Sequence, residues 1–286
     1  MGTKIMHRII TNYHTHTNFC DGKDTAEKMA ESAYNKGVSI LGFSSHSMYP
    51  FSSSWHIDTK DFTKYCAEVQ KLKTEYKGKM EILLGFEAEF IPGVTCPRMD
   101  EYSDFLPEYL IGAVHFTGND NGIFAVDDSS ENVKKGIEKY FNGNGKNAVC
   151  EYFARQREML RAGNFAILAH CDLIRKRNQQ LHFFDENDSW YKKELAATAK
   201  EIAKAGVIVE INTGAISRKA MDDVYPSAQF LEIIKNQGIP VTFSSDSHSA
   251  QTIISDFDRA EKAARNAGYN EIMYINEQGQ AVSQAL

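Results

Sequence analysis

The chain has 286 residues, a formal net charge of −6 and 42% hydrophobic residues, enough apolar material for a large core without covalent or metal staples. The acidic balance argues against a nucleic-acid track, which wants a strongly basic face, and favours a small-molecule partner. One α/β barrel fits this length, so a single domain over 1–286 is expected.

The first strand signal is Ile9, Ile10 and Tyr13, with His14 and His16 two apart at its end, so that in extended geometry both imidazoles point to one side. A turn at Asp21-Gly22 places a carboxylate just beyond. Asp24 to Glu27 has capping-box spacing, and Met29, Ala30, Ala33 and Tyr34 form a helical face stopping at Lys36-Gly37. The apolar run Val38 to Ser44 predicts a strand ending at His46, and Thr59 to Tyr76 predicts a helix. Met80 to Phe90 is the next strand, with Glu87 and Glu89 two apart at its far end. Tyr109 to Val114 is another, closed by His115, and Gly118 to Ser130 reads as a surface excursion before helical text to Arg161.

Phe165 to Ala169 leads to His170, a helix over Leu195 to Ala205 leads to the strand Val207 to Ile211, and a helix over Ala228 to Lys235 leads to the strand Ile239 to Ser244. That last strand runs into Ser245-Asp246-Ser247-His248; a final helix over Ser255 to Ala267 precedes strand-like text at Glu271 to Ile275. The repeating strand-then-helix units predict a parallel sheet, and in a barrel of that kind all strand ends meet at one mouth. The scattered thiols Cys20, Cys66, Cys96, Cys150 and Cys171 suit a reducing, cytoplasmic setting. The N-terminus lacks a secretory core, and no apolar run reaches the roughly eighteen residues of a membrane span.

His14, His16, His46, His115, His170 and His248 all fall at or just past predicted strand ends, together with Asp21, Glu87 and Asp246. His7, His56 and His182 do not, and are read as surface or hydrogen-bonded residues. Mixed imidazole and carboxylate donors without thiolate suit Zn, Mn or Fe. The donors outnumber the roughly three protein ligands of one catalytic zinc, so the count suggests about three divalent ions. Such ions leave an excess positive charge that an anionic ester would balance. Arg175 and Arg218 follow strands five and six and are expected to project toward the same mouth, where guanidinium matches phosphate oxygens. Glu89 has as good a claim as Glu87 to face the barrel interior on alternation alone.

His14-Thr15-His16, the Gly85-Phe86-Glu87 strand end, the isolated His46, His115 and His170, and Ser245-Asp246-Ser247-His248 together resemble the PHP (polymerase and histidinol phosphatase) superfamily. Within it, His170 to Lys176 and Glu210 to Gly214, with Arg218, resemble the histidinol-phosphate phosphatase branch. The resemblance implies a distorted (β/α)7 barrel, TIM-like, with a trinuclear metal centre. It implies one ion on His14, His16, Glu87 and Asp246, a second on Glu87, His115 and His170, and a third on Asp21, His46 and His248. The implied activity is hydrolysis of L-histidinol phosphate, a small phosphate monoester, to L-histidinol and phosphate in histidine biosynthesis, with neither nucleic acid nor membrane as partner. The rival expectations are the same chemistry on another phosphate ester or nucleotide, and a metal- or phosphate-binding module without turnover. Tyr49, Phe51, Trp55, His56 and Glu89 are candidates for the wall that selects the rest of the substrate.

Overall fold

The computed structural model describes residues 9–276 and 278–286; His7 and the reading of the extreme N-terminus lie outside them. Seven parallel strands pair in chain order: β1 (Thr11–Asn12), β2 (Ile40–Phe43), β3 (Glu81–Glu89), β4 (Tyr109–Ala113), β5 (Ile167–Leu168), β6 (Ile208–Asn212) and β7 (Val241–Ser244). Ile40 faces Glu81, Gly85 faces Tyr109, and Ile211 faces Phe243. Between β7 and β1 the ladder shrinks to a single bridge, Thr15 with Ser247. There the His16 N–H donates to the Ser247 carbonyl (2.9 Å) and the Ser247 N–H to the His14 carbonyl (3.1 Å). The Asn12 side chain fills the rest of the seam, donating to Ser245 Oγ (2.9 Å) and the Ile253 carbonyl (2.8 Å). The barrel is therefore a distorted seven-stranded one, and its closing seam fixes the backbone of the first two histidines.

Helices α1 (Ala26–Asn35), α2 (Phe62–Glu75), α3 (Ser130–Phe141), α4 (Gly145–Ala162), α5 (Ser189–Ala205), α6 (Ala228–Asn236) and α7 (Phe257–Asn266) connect the strands. In α1 the buried stripe Met29, Ala30, Ala33 packs inward as the spacing predicts. The cap is Thr25, whose hydroxyl accepts from the Lys28 N–H, whereas Asp24 accepts from the Ala250 N–H (2.9 Å). Helix α5 begins at Ser189, six residues before the expected start at Leu195, and its first turn carries the fully buried Tyr191.

One expectation changes and one gains a partner strand. The excursion after His115 contains an antiparallel hairpin, Phe116–Asn119 with Gly122–Ala125, packed on α3 so closely that a Cβ at Gly136 would overlap the Phe124 ring. The strand-like text at Glu271–Ile275 pairs with Ala281–Ala285 as a second antiparallel hairpin outside the barrel. It closes the floor, where the Tyr13 hydroxyl donates to the Ile275 carbonyl (3.2 Å) and accepts from its N–H (2.7 Å). Above that floor Tyr109, Ile111, Ile167 and Ile208 fill the barrel. A Cβ at Gly85 would lie 2.5 Å from the Tyr109 ring, so glycine on β3 makes room for it. Among the described residues no helix is long and apolar enough to cross a membrane, and all five cysteines are free thiols.

Candidate metal centre

At the C-terminal ends of the strands the nine sequence-selected donors come together. Four overlapping sets have ligand atoms within 4.8 Å of one another: His16, Asp21, His46 and His248; His14, His16 and Asp246; His14, Glu87 and His170; His46, Glu87 and His115. Glu87 is the hub: one oxygen lies 3.1 Å from His14 Nε2 and 2.6 Å from His46 Nδ1, the other 2.9 Å from His170 Nε2 and 3.4 Å from His115 Nε2. Asp246 Oδ1 approaches His16 Nε2 (3.2 Å) and His248 Nδ1 (3.5 Å), and Asp21 approaches His248 Nε2 (3.3 Å).

A second layer aims the rings. Glu210 on β6 accepts from His14 Nδ1 (2.9 Å) and from the His170 N–H (2.9 Å), and is itself held by Asn212 Nδ2 (2.7 Å). Glu89 does the same for His115, accepting from Nδ1 (2.7 Å) and from its N–H (2.9 Å). With Nδ1 engaged, Nε2 of His14 and of His115 must face the centre. Glu87 and Glu89 thus divide the work: alternate residues at the end of β3, one in the cluster and one behind a ring.

The interior is short of hydrogen bonds. His14 Nε2, His16 Nε2, His46 Nδ1 and Glu87 Oε2 are buried and have no hydrogen-bond partner among the described residues, although buried polar atoms are almost always paired. A divalent cation among them satisfies these lone pairs, so the donor set fits a metal centre of nitrogen and oxygen ligands. The charge states suit this too. Burial works against ionisation of Glu87, yet the His46, His14 and His115 imidazoles hold its carboxyl well below the usual range. Burial likewise opposes ionisation of Asp246, and the Arg218 guanidinium and His14 more than offset it. His16, buried and crowded by His248 and His46, is pushed well below the ordinary histidine range, so it is neutral, as a ligand must be.

Asp246 sits in the left-handed region at φ 46°, a strained setting for a residue other than glycine. Arg218 secures it, donating to its Oδ2 (2.8 Å) and to its carbonyl (2.6 Å). Glycine at 214 is required beside this pair, because a Cβ there would stand 2.7 Å from Arg218 Nη2 and 2.9 Å from Asp246 Cβ.

Over the cluster opens a cavity of about 350 Å³, lined among others by Trp55, Asp127, Lys176 and Arg218. Arg175 departs from expectation. Residues Leu173–Arg177 form a 3₁₀ turn, in which successive side chains point about 120° apart, so Arg175 turns inward and its neighbour Lys176 turns to the mouth. Arg175 donates to Glu186 (2.7 Å), Asp223 (2.8 Å) and Asp172 (3.4 Å) and keeps only 6% of its side chain exposed. Of the wall candidates Trp55 lines the cavity, Tyr49 packs against Phe62, Tyr102 and Phe105, and Phe51 is exposed. His56 is buried and its Nδ1 hydrogen-bonds Ser53 Oγ (2.7 Å), while His182 is exposed at a left-handed cap.

The sequence pattern of the PHP domain matches residues 12–214, about 71% of the chain (203 of 286) and the stretch that contributes seven of the nine clustered donors. The chain belongs to the PHP domain family. It is 26% identical over 264 residues to a protein of Deinococcus radiodurans named a probable histidinol-phosphatase, covering 91% of this chain and 95% of that one. It is also 26% identical to the histidinol-phosphatase of Bacillus subtilis, covering 83% and 92%. A crystal structure of histidinol phosphate phosphatase from Lactococcus lactis, in complex with zinc, L-histidinol and phosphate, superposes with a TM-score of 0.72 at 20% identity over 92% of this chain and 95% of that one.

In this PHP domain three residues at the site escaped the sequence reading of roles. Glu210 is a charged residue inside the apolar run VIVEI, and burial of a carboxylate in such a strand is itself a signal that a cationic or donor partner waits there. Lys176 was visible only as one member of a basic triplet with Arg175 and Arg177, and which of the three faces the mouth depends on the pitch of the turn. Asp127 lies in the segment that reads as a surface excursion, and nothing in its neighbours betrays that the hairpin folds back over the mouth.

Proposed function

We propose that the chain hydrolyses L-histidinol phosphate to L-histidinol and phosphate, with divalent metal ions held in the barrel mouth. The observation that carries the reading is the buried, hydrogen-bond-deficient cluster of imidazoles and carboxylates under a cavity whose rim carries Arg218 and Lys176. Full-length similarity to proteins named histidinol-phosphatase supports the substrate. We assign three ions, taken from zinc, manganese and iron: one to His14, His16, Glu87 and Asp246, one to Glu87, His115 and His170, and one to Asp21, His46 and His248. When bound, such ions neutralise phosphoryl charge and acidify water from a pKa of about 15.7 toward about 7, which makes a nucleophile available at neutral pH.

The remaining work belongs to the chain. Glu210 and Glu89 hold His14 and His115 in the tautomer that leaves Nε2 free. Arg218 keeps the strained Asp246 in place and, with about a third of its side chain exposed at the cavity, offers its remaining donors to phosphate oxygens. Lys176 donates one N–H to Asp127 (3.1 Å), which leaves two N–H groups for the phosphate. Arg175 is assigned a supporting role, gathering three carboxylates behind the turn that presents Lys176. A cavity of about 350 Å³ lies within the roughly 300–1,000 Å³ typical of small-ligand sites and suits a monoester better than a polymer.

The reading is tested with variants. Arg218→Ala and Lys176→Ala should each cut kcat/KM for the phosphate ester by about ten- to a hundredfold, the scale of a charge-assisted hydrogen bond. Metal content, measured by elemental analysis, should stay at the wild-type level in Lys176→Ala. Wild-type kinetics in Lys176→Ala would remove that residue from the phosphate site.

A further inference from the structure

The wall of this cavity also holds an ion pair whose acidic member neither the metal centre nor phosphate binding uses. Lys176 Nζ lies 3.1 Å from Asp127 Oδ2, and the two side chains are 10% and 29% exposed. Asp127 follows the hairpin Phe116–Asn119 with Gly122–Ala125, and its backbone is clamped from both sides. The Val126 N–H donates to the His115 carbonyl (2.8 Å), while Arg177 donates to the carbonyls of Asp127 (3.2 Å) and Asp128 (2.6 Å). The second oxygen of Asp127, Oδ1, accepts no hydrogen bond from any described residue. A carboxylate with one open oxygen therefore stands next to an ammonium with open protons, both on the cavity surface, and three hydrogen bonds tie down the backbone on the carboxylate's side.

A plain phosphate monoester makes use of only half of this pair. Its dianion lies against Lys176, and Asp127 then repels it. A substrate with an ammonium on the carbon next to the ester-bearing carbon uses both halves. Its own charges are separated by the short path N–C–C–O–P, so its phosphate lies by Lys176 while its ammonium lies by Asp127, and four charges of alternating sign close a ring. We infer that Asp127 is the specificity-determining residue of this site and that the Asp127–Lys176 pair selects 2-aminoalkyl phosphates over phosphate esters that lack the vicinal amine. This rests on the phosphatase reading above and deepens it, since L-histidinol phosphate is one member of that class. Trp55, whose ring stands edge-on to His46 and His115 across the same cavity, then borders the remainder of the molecule.

The test compares two substrates that differ only in the amine: L-histidinol phosphate and 3-(imidazol-4-yl)propyl phosphate, assayed with metal-replete protein. The wild type should prefer the amine at least about tenfold in kcat/KM, and Asp127→Asn should bring the ratio to within about twofold of unity. Asp127→Glu, which keeps the charge, should retain a clear preference. If Asp127→Asn turns over too slowly to assay, the ratio is read in the wild type from competitive inhibition by L-histidinol and by its deamino alcohol, and in Asp127→Asn from the calorimetric binding constants of the same two alcohols, which should converge to within about twofold. A preference that survives in Asp127→Asn, or a wild type that hydrolyses both esters equally or is inhibited equally by both alcohols, overturns the inference and leaves the phosphatase reading intact. A metal-replete wild type that hydrolyses neither ester overturns the reading on which the inference stands.

Discussion

The two ends of the barrel are built on opposite principles. At the floor the two tyrosine hydroxyls that enter the apolar interior are paired: the Tyr109 hydroxyl reaches the carbonyls of Tyr13 (2.6 Å) and Phe43 (3.1 Å), and the Tyr13 hydroxyl is shared by both backbone groups of Ile275. At the mouth the buried polar atoms outnumber their partners, and His14, His16, His46 and Glu87 point unpaired atoms at one another. The floor is what the chain needs in order to fold. The mouth is a concentration of uncompensated polarity that folding alone would disfavour, and it makes physical sense only with cations among the donors.

Metal removal breaks this comparison most sharply. Exhaustive chelation should abolish phosphate-ester hydrolysis while far-UV circular dichroism stays close to that of the loaded protein, because the floor and the helical layer do not depend on the ions. Readdition of zinc or manganese should restore turnover. Full activity in protein shown by elemental analysis to be metal-free would end the proposed chemistry. His16→Ala should lower metal content and rate together, since His16 belongs to two of the four donor sets.

The two arginines separate stability from activity. Arg175 is buried against the fully buried Asp172 and the partly exposed Glu186 and Asp223, and removing it leaves Asp172 without its cationic partner, a loss that for a buried pair reaches about 3–5 kcal/mol. Arg175→Ala should therefore lower the denaturant midpoint markedly. An Arg175→Ala protein as stable as wild type, with only kcat/KM reduced, would return this residue to the phosphate site that the sequence alone suggested.

That reversal shows where a sequence is legible and where it is not. The alternation of apolar strands and amphipathic helices, together with histidines at strand ends, announced the barrel and its mouth, because strand direction alone decides which ends converge. Register and turn pitch decide the rest. One residue's shift in the 3₁₀ turn exchanges Arg175 for Lys176 at the mouth. Glu87 and Glu89 share one face of β3, so alternation does not choose between them; depth along the strand does, with Glu87 opposite Ile111 and Glu89 one step further on, opposite Ala113. Asp127 depends on a hairpin whose strands are too short and too exposed to leave a clear periodic signature. Tyr109 lay plainly in a strand, yet its role as the peg of the floor depends on the glycine that β3 places beside it.

The floor offers a milder disruption. Tyr109→Phe keeps the ring and removes the hydroxyl, leaving the Tyr13 and Phe43 carbonyls without this donor. Loss of a buried hydrogen bond of this kind costs about 1–3 kcal/mol. The expected outcome is a lower melting temperature with unchanged metal content, as the ring still fills the space beside Gly85. A fall in metal content in Tyr109→Phe would show that the two ends are coupled.

The smallest effect is one proton. In the metal-free centre burial opposes a charge on His14, but Glu210, Glu87 and Asp246 surround the ring and raise its pKa well above the usual 6.5. The raised value favours the doubly protonated ring, with Nδ1–H donated to Glu210 and the second proton on Nε2, facing Glu87. For the metal-free protein the sign follows from the raised value: this interaction stabilises the fold fully below pH 6.5 and is lost as pH climbs through the folded-state pKa. A metal ion reverses the preference, because Nε2 must give up its proton to become a ligand while Nδ1–H stays with Glu210. Zinc binding to the stripped protein at pH 7 should therefore release about one proton from His14, seen as a calorimetric enthalpy that depends on the ionisation enthalpy of the buffer. Affinity should rise with pH across this range. In Glu210→Gln the ring loses its strongest anionic neighbour, so the proton release at pH 7 should shrink; equal release in both proteins would place the departing proton elsewhere in the cluster.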